Sequence, residues 1–322
     1  MRSDLVLLSA NGVWWTTTRR DFMAETIGFI GLGNIGNPMS RRVLGAGYTL
    51  VAYDIQPQAL DRLVQAGAQA AASPKEVASR AQKICLSLPI SPIVEQVCLG
   101  PDGIGAGAAA GTIVIDLTSG NPPHTAQICA KLAEKDIHLI DAGVSGGIPG
   151  AEAGTLGIMT GGDEACYEAC LPVLQAIGKN IYYMGQSGAG HMTKALNNFC
   201  AATNFLATCE AVTVATKAGL DPVKVVHAIN ASSGQSFATT HRFPGFVLPG
   251  DFTHRGGMAT ELMVKDITTA LGVGKEVGVP MPVAGLVQQL YHLAQAMLSP
   301  KAPNQSVVKI YEEWAGVENR AR

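Results

Sequence analysis

The chain has 322 residues, 47% hydrophobic and 15% charged, which is long enough for two domains with real cores and too apolar for disorder. Its formal net charge is -2 and no basic run exceeds a pair, so neither nucleic acid nor an anionic membrane is indicated as partner; a small solute is. Seven scattered cysteines, an odd number without CxxC spacing, read as reduced core residues and hence as a cytoplasmic location, and the histidines show no metal-ligand spacing.

Residues 1–24 stand apart. The run "TRRDFM" is similar to a twin-arginine export signal, but the apolar stretch and cleavage site such a signal needs do not follow, so a poorly ordered extension is expected, with Met23 as a candidate natural start. From Thr26 the pattern is strand, helix, strand: "TIGFIGLG", then "NPMSRRVLGAG" with Pro38 in its first turn, then "YTLVAYD". Further strands are expected at "KICLSLP", "GTIVIDL", "IHLIDAGV", "TLGIMTGG" and "NIYYMG", separated by helical segments. Alternation of this kind implies α/β architecture with a doubly wound parallel sheet. After Gly185 the pattern changes to apolar helical periodicity at 190–218, 222–231, 261–276 and 284–297. The reading is therefore a Rossmann-type domain over 25–187 and an all-helical domain over 188–322, opened by a long interdomain helix.

Gly31, Gly33 and Gly36 form GxGxxG between a strand and a helix, and Asp54 ends the next strand. Glycines there let the backbone approach a pyrophosphate at a helix N-terminus. Asp54 can accept hydrogen bonds from ribose hydroxyls and would repel a 2′-phosphate, and Ile55 and Gln56 bring no arginine to offset it, so NAD is favoured over NADP. A second stretch, "DAGVSGGIPGAEAGTL", carries five glycines around Ser145 and is either a flexible turn or a small nest of N–H groups for a carboxylate. A third, "GAGHMTKALNN", sets Lys194 at the head of an otherwise uncharged helix with Asn198 four residues on, hence on the same face. His191 reads as a pocket wall or a solvated helix-start residue rather than a second base. A fourth, "ELMVKDITTAL", places Lys265 beside Asp266, alone a solvated pair more often than a site.

These four motifs, in this order, resemble the β-hydroxyacid dehydrogenase family, which includes 3-hydroxyisobutyrate dehydrogenase and tartronate semialdehyde reductase. The resemblance runs over roughly nine-tenths of the chain, from Thr26 to the last helices. It implies that "GFIGLGNIGNPM", including Leu32, Asn34 and Ile35, is the cofactor loop, and that Leu88 and Pro89 of "LSLP" touch the cofactor. Ser119 of "DLTSGNPP" would lie near nicotinamide and substrate. Ser145, Gly146 and Gly147 would hold a substrate carboxylate, Lys194 would be the acid/base with Asn198 beside it, and Lys265 would close the pocket over the cofactor. The activity implied is hydride transfer between NAD and a small 3-hydroxy acid, without a metal, by a homodimer or homotetramer. The chain departs from the family at Ile35, where methionine is usual, at Gly143, where proline is usual, and at Met258, where an aromatic is common. Each bears on pocket shape and hence on substrate.

Two other readings compete. An imine reductase resembles this architecture but usually lacks lysine at the catalytic position and prefers NADPH; a silent NAD-binding regulator could discard that lysine altogether. Lys194 and Asp54 speak against the first, and Lys194 with Asn198 and Ser145 against the second. Phe237, Phe243 and Phe246 are read as core more than as walls of a larger pocket.

Overall fold

A computed structural model describes residues 25–321, together with the backbone of two short strands, β1 (Leu5–Ala10) and β2 (Val13–Thr18), which pair antiparallel. The other residues before 25, on which the expected extension and its start at Met23 depend, lie outside the described residues.

The first half lays down one sheet. β3 (Thr26–Ile30) runs into α1 (Gly36–Gly45), which returns the chain to β4 (Thr49–Tyr53). Then follow α2 (Pro57–Val64), β5 (Gln69–Ala70), α3 (Pro74–Arg80), β6 (Lys83–Leu86), α4 (Ser91–Leu99), β7 (Ile113–Asp116), α5 (Pro122–Ala133) and β8 (His138–Ser145). α6 (Gly147–Ala153), β9 (Leu156–Gly161), α7 (Glu164–Ile177) and β10 (Gly178–Gly185) complete it. Strand order is β10-β9-β8-β7-β6-β3-β4-β5. Two helices begin with proline in their first turn after a serine or asparagine that accepts a backbone N–H: Ser73 caps α3 and Asn121 caps α5.

The sheet is not wholly parallel, as the alternation led one to expect. β9 runs antiparallel to β8, and β10 parallel to β9, so the last two strands oppose the other six. The cause is the connection. Residues 146–155 hold only a short helix, less than the dozen or so residues a parallel crossover needs, so the chain folds back beside the strand it has just left. Buried side chains cover both faces, with Phe29, Met39, Leu50, Leu156 and Leu174 in one layer and Ile30, Leu86, Val114 and Leu132 in the other.

The second half is helical: α8 (Ala189–Lys217), α9 (Pro222–Asn230), a π-helical segment Ala238–Val247, α10 (Thr260–Glu276), α11 (Pro282–Met297) and α12 (Val308–Ala315). The π-helical segment, α12 and the two-residue β5 carry no periodicity that announced them. Phe205, Phe243, Met263, Ile267 and Tyr291 form the core here, and Phe243 is fully buried while Phe237 is 48% exposed. Cys200 is exposed and Cys129 half-buried, against the expectation that all seven thiols lie in the core. α8 is long and apolar enough to cross a membrane, yet it packs along β8, β9, α10 and α12 of this chain.

Candidate active site

The cofactor end is made by the turn between β3 and α1. Gly31 has φ +93°, and a Cβ there would run into the Ser87 carbonyl; a Cβ on Gly36 would run into the carbonyl of Gly31. Both glycines are required for the turn to close on itself. Gly33 differs, because a Cβ there would meet nothing within 4 Å. Open space lies beside its backbone, next to the start of α1, as an approaching pyrophosphate requires. Asp54 secures the turn from β4: one carboxylate oxygen accepts the Leu32 N–H at 2.6 Å and the other accepts the Gln56 N–H at 2.7 Å. Leu32, Gly33, Asn34, Asp54 and Gln56 line a cleft of about 630 Å³. The residues present thus fit a dinucleotide. Ile35 precedes α1 and packs against the core, and Leu88 donates its N–H to the Thr118 hydroxyl at 3.1 Å, which sets the β6 exit, with Pro89 following, beside the β7 exit. Two arginines away from Asp54 in the sequence, Arg41 and Arg62, line the same cleft from α1 and α2; Arg41 donates to the Arg62 carbonyl at 3.1 Å.

The catalytic end is made by side chains from distant segments. α8 starts at Gly188 with no side-chain cap of its own. The cap comes from β8: Asp141, fully buried, accepts the N–H of Gly188 at 2.7 Å with one oxygen and that of His191 at 2.8 Å with the other. A carboxylate satisfying free N–H groups at the positive end of a helix dipole is worth about 1 kcal/mol at an ordinary surface site. Here it also fixes where the helix begins against the sheet. Glycine packing tightens the joint, since a Cβ on Gly190 would lie 2.8 Å from an Asp141 oxygen. His191 is buried rather than solvated: Nδ1 lies 2.9 Å from the Thr125 hydroxyl and Nε2 3.9 Å from a carboxylate oxygen of Asp116, the register neighbour of Asp141. Burial raises the Asp116 pKa above its ordinary value; His191 opposes this and Asp141 adds to it.

One turn further on stands Lys194. It is only 4% exposed, and its Nζ donates to Asn198 Oδ1 at 2.9 Å. Asn198 Nδ2 in turn donates to Asp266 Oδ2 at 2.5 Å, across to α10. Burial lowers the Lys194 pKa from 10.5 to about 8; Asp266 pulls it back up, while Lys265 and Arg242 push it down. Lys265 reaches from α10 to the Ser119 carbonyl at 2.5 Å and lies 3.2 Å from Asp266. The pair is no solvated surface bridge, because Asp266 is buried. Asn197 Nδ2 lies 3.4 Å from the Ser145 hydroxyl, and Gly146 and Gly147 follow at φ +134° and +65°. Gly143 lies against the lysine stem: a Cβ there would be 2.6 Å from Lys194 Cβ. Glycine in place of the family's usual proline therefore admits a closer approach of β8 to the catalytic helix.

Ser119, Ser145, Lys194, Asn198 and Lys265 are thus brought to one end of the sheet. Sequence reasoning missed Asp141, Asn197, Arg242 and the part played by Asp266. Asp266 carried a signal, an acid within an apolar helix, but the adjacent lysine explained it away.

Two family models cover nearly all of this region: one described as the NAD binding domain of 6-phosphogluconate dehydrogenase matches residues 26–185, and one described as NAD-binding of NADP-dependent 3-hydroxyisobutyrate dehydrogenase matches 188–311. The 2-(hydroxymethyl)glutarate dehydrogenase of Eubacterium barkeri is 40% identical over 90% of this chain and 96% of its own. The NAD-dependent L-serine dehydrogenase of Pseudomonas aeruginosa is 36% identical over 84% of this chain and 92% of its own. A solved Mycobacterium tuberculosis 3-hydroxyisobutyrate dehydrogenase with L-serine superposes with a TM-score of 0.79 at 28% identity, covering 89% of this chain and 99% of the other. The chain belongs to the β-hydroxyacid dehydrogenase family. As a member it is a hydroxyacid dehydrogenase with NAD as cofactor, which agrees with the glycine turn and Asp54.

Proposed function

We propose that the protein oxidises small 3-hydroxy acids, and reduces the corresponding semialdehydes, with Lys194 as general acid/base. The observation that carries this is a buried amine, at about 8, on a polar chain ending in Asp266. Near neutrality such a lysine exists in both protonation states, so it can take the proton of a substrate hydroxyl or return it to a carbonyl oxygen. NAD, when bound, accepts the hydride. Asn198 holds the amine in place, and Asp266 limits how far burial depresses its proton affinity. The residues 145–147 would receive the carboxylate beside the reacting carbon, and Lys265, tied to the Ser119 carbonyl, would hold the helical domain over the nicotinamide pocket.

Asp54 supports NAD over NADP. A second reading, use of both, draws support from Arg41 and Arg62, two cations on the same cleft. Association with a second copy of the chain is expected through α11, where Val283, Leu286, Leu293 and Met297 are 50%, 63%, 37% and 39% exposed at heptad-like spacing. The reduced thiols remain the reason to expect a cytoplasmic location.

The deciding measurement is single-turnover hydride transfer to NAD from 3-hydroxyisobutyrate and related acids. Lys194→Ala is expected to lower the rate by about 10²–10⁴-fold, the usual worth of a positioned acid/base, while NAD affinity stays within about twofold. A variant that folds, binds NAD and reacts at the wild-type rate would remove lysine from the mechanism.

A further inference from the structure

Of the seven histidines only His191 is buried, and a buried imidazole needs an answer at both ring nitrogens. The ring sits at the head of α8, three residues before Lys194. Nδ1 is 2.9 Å from the Thr125 hydroxyl on α5, and Nε2 is 3.3 Å from the backbone carbonyl of Asp116 at the end of β7. Gly120 lies against the ring, since a Cβ there would run into Nδ1 and Cε1. The hydrogens follow from these partners. Thr125 Oγ also lies 3.0 Å from the Asn121 carbonyl, so its hydroxyl can point to that oxygen or to the ring. In both cases Nε2 must carry a hydrogen, because the carbonyl that it faces only accepts.

These contacts close a circuit. From Lys194 the hydrogen bonds run to Asn198 and on to Asp266; Asp266 lies beside Lys265, and Lys265 donates to the Ser119 carbonyl. Gly120 follows Ser119 and brings the path back to α8 at the His191 ring. The segment 116–120 is therefore held by α10 at Ser119 and by α8 at Asp116 and Gly120. Asp141 fixes the head of α8 to β8 through backbone N–H groups; the His191 side chain fixes the same head to the exit of β7.

We propose that His191 is a positioning residue for hydride transfer: by donating from Nε2 to Asp116 and backing Gly120, it sets the segment that carries Ser119 in register with Lys194. The assignment rests on the dehydrogenase reading above and adds a residue to that same site. His191 takes no proton from the substrate and passes none on. It acts through Lys194 and the 116–120 segment, so its loss falls on the rate of the chemical step and not on NAD binding.

The test is single-turnover hydride transfer from 3-hydroxyisobutyrate to NAD, read by NADH absorbance. His191→Leu, which nearly keeps the volume and loses both nitrogens, should lower the rate by about 10–100-fold, the scale of misplacing a reacting group, with NAD affinity within about threefold. His191→Gln, whose amide can still donate toward the Asp116 carbonyl, should recover about half of that loss on a logarithmic scale. A side chain that only filled space would be replaced as well by leucine as by glutamine, and equal rates in the two variants overturn the proposal. The circuit supplies a second readout. In a Lys265→Met background the segment is already free at Ser119, so His191→Leu should cost about threefold or less there; full additivity overturns the proposal. Should the His191 variants not fold, wild-type protein with isotopically labelled histidine decides by NMR: the buried ring must carry a hydrogen on Nε2 at neutral pH, and a bare Nε2 overturns the proposal. A wild-type rate in His191→Leu while Lys194→Ala is still slow sinks this inference alone. Wild-type protein that oxidises no 3-hydroxy acid sinks the dehydrogenase reading with it.

Discussion

The two ends of the site are built by opposite means. At the cofactor end, a single strand-turn-helix makes the cradle from backbone, and Asp54 braces it from the adjoining strand with two short hydrogen bonds. At the catalytic end, nothing is local. Asp141 from β8 sets the start of α8, Asp266 from α10 anchors Asn198, and Lys265 crosses to the Ser119 carbonyl. The first end needs absences, positions with no Cβ. The second needs buried charges whose partners come from far along the chain, where an unmatched group is unfavourable. Binding and chemistry should therefore be separable by mutation, and each experiment below either breaks that separation or sharpens it.

After the loss of Lys194 itself, the largest effect is expected from Asp141→Asn. The amide keeps the shape but one of its two heads can no longer accept an N–H from α8, so the helix start shifts and carries Lys194 with it. kcat should fall by about 10²-fold, the scale set by misplacing a reacting group by an ångström, with NAD affinity within about twofold by fluorescence titration. Parallel loss of NAD affinity would show that the two ends are one unit.

Glycine substitutions at the cofactor end come next. Gly33→Ala meets open space, so its melting temperature should match wild type while the NAD dissociation constant rises by about tenfold, since the methyl group stands where a phosphate approaches. Gly36→Ala drives its methyl group into the Gly31 carbonyl and should lose about 1–3 kcal/mol of stability as well. If both variants melt alike, the distinction between open and closed glycines is wrong.

The smallest effect is a displacement along the pH axis. If Lys194 is the acid/base, as proposed, it must be neutral to take the hydroxyl proton, so oxidation should rise with pH through about 8 and level off above it, while reduction, which needs the ammonium, falls over the same range. Asp266 raises the lysine's value, so Asp266→Asn should move both limbs to lower pH. Movement to higher pH would mean that Asp266 does not act on Lys194 electrostatically.

Much of this was written in the sequence by itself, because short-range spacing is enforced by helix and strand geometry. GxGxxG between a strand and a helix, Asp54 at the next strand's end, and Lys194 with Asn198 four residues on all follow from periods that hold wherever the segment is placed. Most of the strands and the four long helices of the second half were legible in the same way. What tertiary structure alone decided lies at long range. The reversal of β9 followed from a connection too short for a crossover. Asn198 meets Asp266 across 68 residues of chain and Lys265 meets Ser119 across 146. A residue's partner at such separations depends on which surfaces pack, and local periodicity holds no record of that; a buried charge shows its purpose only once the group that answers it is in place.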